Sequence, residues 1–333
     1  MKLGLMVGYW MFGPEDPGPL AVEAEKLGYD SVWTAEAYGS DCVTPLAWIA
    51  AQTKTIKLGT SIMQISARTP ACAAMTAMTL DHLSGGRVMF GFGVSGPQVV
   101  EGWYGQEFRK PLGRTREFLT LFREMMQRKG PVEFQGDHYQ LPLQTSAGLG
   151  KPLKLITKPL RQNLPIYLGA EGPKNVAMAA ELCDGWLPLY YSPYRPEVYA
   201  DSLKNAKPDF DVACSVTVNI NDDLEAALMP VKMMLAFYIG GMGARHKNFH
   251  ANLVRRFGFE KEVDQIQDLF AEGKRDEAAL VVPDAFADEI SLCGSVDRIK
   301  DRLQAWKDSR VSTILIGDRN VDTLRTIAEL VAS

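Results

Sequence analysis

The amino-acid sequence predicts an α/β fold, a (β/α)8 TIM barrel with insertions, and three observations carry that prediction. Short apolar runs alternate with longer segments of helical period, the pattern of a parallel sheet assembled from βα units. Eight such runs follow one another along the chain. The length, 333 residues, is large for an ordinary domain but normal for this barrel once insertions are added.

The first strand is read at residues 2–7, a run too short and too plain for a signal peptide. A helix follows at 19–27 and stops at Gly28, which suits the left-handed position beyond a helix end. The second strand is 31–34, with a helix near 45–52, and the third is 57–62. A long helix, 70–83, closes on Ser84-Gly85-Gly86 before the fourth strand at 87–92. The period then loosens into an insertion, 130–164: after a helix at 111–129 come a hairpin over 132–142 and an extended stretch over 146–164. The fifth strand is 165–169 with a helix at 173–183, the sixth is 184–188 and the seventh is 211–219. Residues 222–291 read as a helical excursion, after which a helix at 296–309, an eighth strand at 312–317 and a helix at 321–331 complete the chain. No linker divides it, so residues 1–333 are expected to form one domain.

Composition excludes several classes. The formal net charge is −4 with no basic block, which argues against a nucleic-acid surface and leaves anionic ligands to local groups. Cys42, Cys72, Cys183, Cys214 and Cys293 show no CxxC spacing and read as reduced, buried thiols of a cytoplasmic protein. The most apolar later stretch, 224–239, is broken by Glu225, Pro230 and Lys232, so no membrane span is expected.

Three strand exits carry the chemistry. Leu58–Pro70 ends a strand in small and hydroxyl residues, which let a planar ring approach the backbone. Arg87–Gly96 contains GxGxxG, but it follows the fourth strand rather than the first and runs into Pro97, so it fits a barrel mouth better than a Rossmann turn. Gly169-Ala170-Glu171-Gly172-Pro173-Lys174-Asn175 places a proline at a helix start, where first-turn N–H groups and Lys174 would face an anion.

Together with Asp81-His82-Leu83-Ser84-Gly85-Gly86-Arg87 and Asp184-Gly185-Trp186, these segments resemble the luciferase-like flavin and deazaflavin oxidoreductases, in the branch that uses coenzyme F420. The resemblance runs from residue 1 to about 200 and resumes at the last strand and helix. It implies a non-prolyl cis peptide at Ser61–Ile62, a bulge behind the deazaflavin ring. It also implies phosphate contacts at Gly93, Val94 and Ser95 and at Gly169, Ala170, Gly172, Pro173 and Lys174. Where relatives carry an acid followed by histidine after the second strand, this chain has Glu36-Ala37; Glu36 is the expected catalytic acid and the histidine is missing. Where the sugar-phosphate dehydrogenases of the family carry a catalytic glutamate, this chain has Gly96-Pro97, so that activity is not expected.

The expected function is hydride transfer between F420 and a small organic substrate, in a homodimer or higher homo-oligomer. The alternatives are an FMN-dependent monooxygenase and a non-catalytic cofactor-binding protein. Tyr9, Trp10, Trp103, Tyr104, Tyr190 and Tyr191 are expected near the mouth as aromatic walls. Lys151, Lys154, Lys158 and Arg161 form a basic cluster that could meet the polyglutamate tail of F420. His82 reads as structural. His246 and His250, four apart, have no companion ligand in the sequence, and no metal is expected.

Overall fold

Eight parallel strands pair in chain order and close on themselves: β1 (Lys2–Gly8), β2 (Ser31–Thr34), β3 (Lys57–Gln64), β4 (Val88–Gly93), β5 (Ile166–Gly169), β6 (Gly185–Leu187), β7 (Asp211–Ile220) and β8 (Thr313–Ile316). The seam is β8 against β1, with Leu3 opposite Ile314. The computed structural model describes every residue except Phe12, Thr145, Ser146, Gly243, Ala244, His246, Lys247 and Ser333. His246 and the first residue of the expected 146–164 stretch therefore lie outside the described residues.

Helices lie between the strands close to where the sequence places them; that over Pro70–Leu83 matches the expected bounds. The differences are short elements. Helices form at Pro97–Gly102 and Glu197–Leu203, and a ninth strand, Ser291–Gly294, pairs with the far half of β7 rather than ending a helical segment. Each is too short to show a period. The hairpin pairs Phe134–Gln135 with Gln140–Leu141.

The barrel interior is filled, not open. Trp33, Met89, Tyr167, Leu187, Ala213 and Leu315 point inward from six strands and form a core of their own, with Met6 and Ile62 packed on it. Trp33 and Tyr167 meet edge to face at 5.2 Å. These rings fit because the strands opposite them present glycine: a Cβ on Gly59 would lie 2.2 Å from the Trp33 ring, and one on Gly185 would lie 2.3 Å from the Tyr167 ring. Polar ends of the plug are satisfied low in the barrel, where Trp33 Nε1 donates to Ser31 Oγ (2.9 Å) and Tyr167 Oη donates to Asp211 (2.8 Å).

The N-terminal rim of the strands is tied by charge. Arg87 donates to the carbonyls of Ser84, Ala50, Thr53 and Ile56 and to Thr53 Oγ1, fastening the Val43–Gln52 helix to the start of β4. Arg123 pairs with Asp184 at 2.5 Å just before β6, and Arg161 pairs with the buried Asp81 while donating to Val88 O. His82 bonds the carbonyl of Lys158 at 3.0 Å, a structural role. Of the basic cluster of the insertion, Arg161 and the Lys158 carbonyl are thus tied near the start of β4, the end opposite the mouth.

Glu25 fixes the turn before β3 by accepting N–H bonds from Lys54, Thr55 and Ile56. Burial alone would raise its pKa, but these bonds outweigh it and hold the carboxyl down at about 2. A depressed carboxylate adds stability above its unfolded pKa, and that stability is lost as pH falls toward 2. Glu25→Gln is therefore expected to lower Tm at pH 7 and to shrink the acid loss between about pH 4.5 and 2, read by thermal melts across that range.

The excursion between β7 and β8 packs four helices around Leu224–Gly241, which is long and apolar enough to cross a membrane by length and composition. Here Ala227, Leu228, Val231, Leu235 and Ile239 face the other helices, and the buried Lys232 reaches Asp284 at 2.5 Å. Cys42, Cys183, Cys214 and Cys293 are buried free thiols, whereas Cys72 is exposed.

Candidate active site

The mouth lies where the eight strands end, above the Trp33–Tyr167 plug, and its floor is Ile62. The Ser61–Ile62 peptide is cis, as the resemblance implied, and the β3–β4 register slips between Thr60 and Met63. Ile62 is seated between two glycines. A Cβ on Gly93 would lie 2.7 Å from Ile62 Cδ1 and Cγ1, and one on Gly169 would lie 2.8 Å from Cγ2. Both glycines clear space for this one side chain, a tighter demand than leaving room for a ligand.

Above the floor, two helices present bare N-termini. Those over Pro97–Gly102 and Pro173–Leu182 start from Gly96 and Gly172 with proline in the first turn and no side-chain cap. The Pro70–Leu83 helix, by contrast, is capped by Thr69, whose Oγ1 accepts from Cys72 N. Uncapped first-turn N–H groups make a site for an anion. Ser95, at φ 59°, turns the chain between β4 and the first of these helices. A shallow recess opens beside the Pro97–Gly102 helix, lined by Ser66, Val94, Val100, Glu107, Arg109 and Arg114 among others.

Glu36 is not a free acid. Its side chain is 2% exposed, and its carboxylate accepts from Arg68 Nη1 at 2.7 Å on both oxygens. It also accepts from Cys42 N, Cys42 Sγ and Gln64 N. Burial alone would lower the Arg68 pKa, but the bond and charge of Glu36 raise it; burial first and then Glu36 push the Cys42 thiol well up. The cluster is a clamp joining the β2 and β3 exits.

Aromatic side chains wall the mouth. Tyr38 and Trp103 sit 6.4 Å apart and are 62% and 64% exposed, with Trp10 at 42%. The Tyr9 pKa is raised by burial and then by Tyr38, and that of Tyr104 by burial and then by Glu36. Tyr191, expected here, instead packs in the outer core against Tyr199 and Trp306, below the mouth. Tyr190 is buried against Tyr238, an aromatic of the excursion, at 6.0 Å.

Several of the polar atoms left without partners lie here, and others lie elsewhere, among them Gln267 Oε1, Asp288 Oδ1 and Trp306 Nε1. Gln64 Oε1, Ser66 Oγ, Glu171 Oε2, Asn175 Oδ1, Tyr190 Oη and Arg256 Nε are all buried and unbonded among the described residues. Buried polar groups are normally paired, so a cluster of exceptions marks where a ligand or ordered water belongs.

The sequence profile of the luciferase-like monooxygenase family matches residues 13–313. A Mycobacterium tuberculosis protein assigned as a coenzyme F420-dependent oxidoreductase is 48% identical, with 99% of each chain aligned. The chain belongs to the luciferase-like monooxygenase family. A 5,10-methylenetetrahydromethanopterin reductase of Archaeoglobus fulgidus is 26% identical over 88% of this chain and 86% of its own. The solved coenzyme F420-dependent tetrahydromethanopterin reductase of Methanopyrus kandleri superposes with a TM-score of 0.78, covering 98% of this chain and 97% of its own; at 21% identity that is a likeness of fold.

In this luciferase-like barrel, Ser61, Ile62, Gly93, Val94, Ser95, Gly169, Ala170, Gly172, Pro173 and Lys174 all lie at the exits of β3, β4 and β5. Ala170 is buried and its carbonyl accepts from Trp186 Nε1 at 2.7 Å, so it backs the loop. Sequence reasoning missed Arg68 and the contribution of the excursion. His250 Nδ1 stands 2.7 Å from Glu171 Oε1, and Arg256 donates to Glu171 O at 2.5 Å. His250 thus meets a carboxylate across 79 residues of chain, not a metal-ligand set. Among the described residues no group of three His, Cys, Asp or Glu side chains could hold a metal ion.

Proposed function

We propose that this protein is a coenzyme F420-dependent oxidoreductase transferring hydride between the deazaflavin and a small organic substrate. The observation that carries the reading is the Ile62 floor between Gly93 and Gly169, set beneath two uncapped helix N-termini. A flat tricycle on a phosphodiester-bearing chain fits that geometry, and the 48% identical relative favours F420 over FMN.

Bound F420 would supply the hydride. Ile62 supports one face of the ring, and the first-turn N–H groups after Gly96 and Gly172, with Lys174, take the phosphodiester. The recess lined by Arg109, Arg114 and Glu107, two cations against one carboxylate and so one net positive charge, takes the acidic tail. Tyr9, Tyr38, Trp103 and Tyr104 keep water from the other face and suit an uncharged, largely apolar substrate. The four buried thiols fit a reducing cytoplasm. Met233 and Met234, 54% and 43% exposed on the excursion, fit the surface of a homo-oligomer.

Fluorescence titration with F420 is expected to saturate, with FMN binding weaker by about tenfold or more. Reduced F420 is expected to be reoxidised by members of a panel of aldehydes, ketones and enones, followed at the deazaflavin absorbance. Tighter binding of FMN overturns the choice of cofactor; F420 binding with no turnover across the panel points to the non-catalytic alternative.

A further inference from the structure

A carbonyl that receives hydride at carbon must receive a proton at oxygen, so the site needs a group that titrates near neutral pH. The expected acid, Glu36, has both oxygens engaged by Arg68, Cys42 and Gln64. Tyr9 and Tyr104 are shifted upward, mainly by burial, and stay protonated. Among the described residues, His250 of the Phe249–Arg256 helix and Glu171 of the β5 exit form a hydrogen-bonded titratable pair at the mouth, 2.7 Å apart.

We infer that His250 exchanges the proton with the substrate and that Glu171 positions it, an inference that rests on the F420-dependent reading above. Four observations support it. A carboxylate only accepts, so the hydrogen of the neutral ring sits on Nδ1 and Nε2 is the nitrogen available for exchange. The couple is shielded without being sealed, the side chains of His250 and Glu171 being 21% and 11% exposed. The second oxygen, Glu171 Oε2, is buried without a partner, as is Tyr190 Oη, so polar capacity beside the couple is unspent. Finally, the ring is fixed by aromatic edges, Tyr238 at 4.7 Å and Tyr190 at 6.5 Å.

The charged and titratable groups around His250 are few. Glu171 faces it from the β5 exit, Tyr190 from beyond β6 and Tyr238 from the Leu224–Gly241 helix. Arg256, on its own helix, is tied to the Glu171 carbonyl. Burial first, then Tyr238 and Glu171, keep Tyr190 well above the usual tyrosine range, so it holds its proton. In the reducing direction hydride from reduced F420 forms the new C–H bond. The carbonyl π pair moves to oxygen, oxygen takes the Nε2 proton of the imidazolium form, the ring is left neutral with its hydrogen on Nδ1, and Nε2 regains a proton from solvent. In the oxidising direction Nε2 accepts the hydroxyl proton as hydride leaves carbon.

Two measurements on the full-length protein test this. The first needs no substrate: long-range 1H–15N correlation of the histidine rings, with His250→Asn identifying the signal, recorded before and after adding F420. The neutral His250 ring is expected to carry its hydrogen on Nδ1 and to shift with F420, and Glu171→Gln is expected to redistribute that hydrogen between the two nitrogens, because an amide can donate as well as accept. A ring that does not respond to F420 overturns the inference. The second uses a carbonyl from the panel that the wild type turns over. His250→Asn and the conservative His250→Gln are expected to lower kcat by about 10²–10⁴-fold and to change the pH profile of kcat. Their F420 affinity is expected to stay within about threefold of wild type. A retained kcat and pH profile overturns the inference, while a wild type that binds no F420 overturns the cofactor assignment instead.

Discussion

Arg68→Ala is expected to destabilise the folded protein by about 3–5 kcal/mol, the usual cost of stranding one member of a buried ion pair. Arg68 and Glu36 have side chains 18% and 2% exposed, so water cannot replace the guanidinium at the carboxylate. The loss should reach the site as well. Glu36 O accepts from Gln64 Nε2 at 3.0 Å and the Glu36 carboxylate accepts from Gln64 N, so loosening the clamp frees the end of β3 next to Ile62. Urea unfolding at pH 7 reads the stability, and F420 titration reads the site. Replacing both partners with apolar residues of similar volume, Glu36→Leu with Arg68→Met, is expected to recover most of the stability, because no charge is then left unpaired. A change below about 1 kcal/mol in the single variant would mean that the pair behaves as an exposed one.

Gly91→Ala and Gly93→Ala, two residues apart on β4, are expected to behave differently. A Cβ on Gly91 would lie 2.1 Å from Thr60 O, a backbone atom of the neighbouring strand that cannot turn away. Its cost is expected to exceed the about 1–3 kcal/mol typical of overpacking, and trimming the nearby Leu187 to alanine should not rescue it. A Cβ on Gly93 meets only the side chain of Ile62. Gly93→Ala is therefore expected to cost about 1–3 kcal/mol and to be rescued in the Gly93→Ala/Ile62→Ala pair, with F420 affinity still impaired because the floor is gone. Additive stability losses in that pair would show that Ile62 is not what Gly93 accommodates.

The fold was legible in the sequence because barrel strands buried on both faces read as apolar runs, and because Gly28, Gly85-Gly86 and the prolines at 70, 111 and 173 punctuate helices. The short elements escaped because Pro97–Gly102 and Ser291–Gly294 are shorter than any period they could display. The site was legible where glycine and proline mark a strand exit, at Gly93, Gly169, Gly172 and Pro173. It was illegible where function depends on distant segments meeting. Nothing near Glu36 announces Arg68 as its partner, 32 residues on, and nothing near His250 announces Glu171. The place of Arg161 was illegible for the same reason: only its pair with Asp81, 80 residues back, reveals which end of the barrel it occupies.

The ties at the strand starts carry one more implication. Arg87, the Arg123–Asp184 pair, the Arg161–Asp81 pair and the Tyr167–Asp211 bond all lie at the edge away from the mouth. The rim that meets the substrate has ties of its own, Glu36–Arg68, His250–Glu171 and Arg319–Glu15, but Trp10, Tyr38 and Trp103 belong to none of them. Its aromatic wall can therefore be rewritten residue by residue, at Trp10, Tyr38 or Trp103, with small losses of folded protein. For directed evolution these three positions are the natural first library, screened on bulkier or slimmer ketones with the framework at the opposite end left untouched.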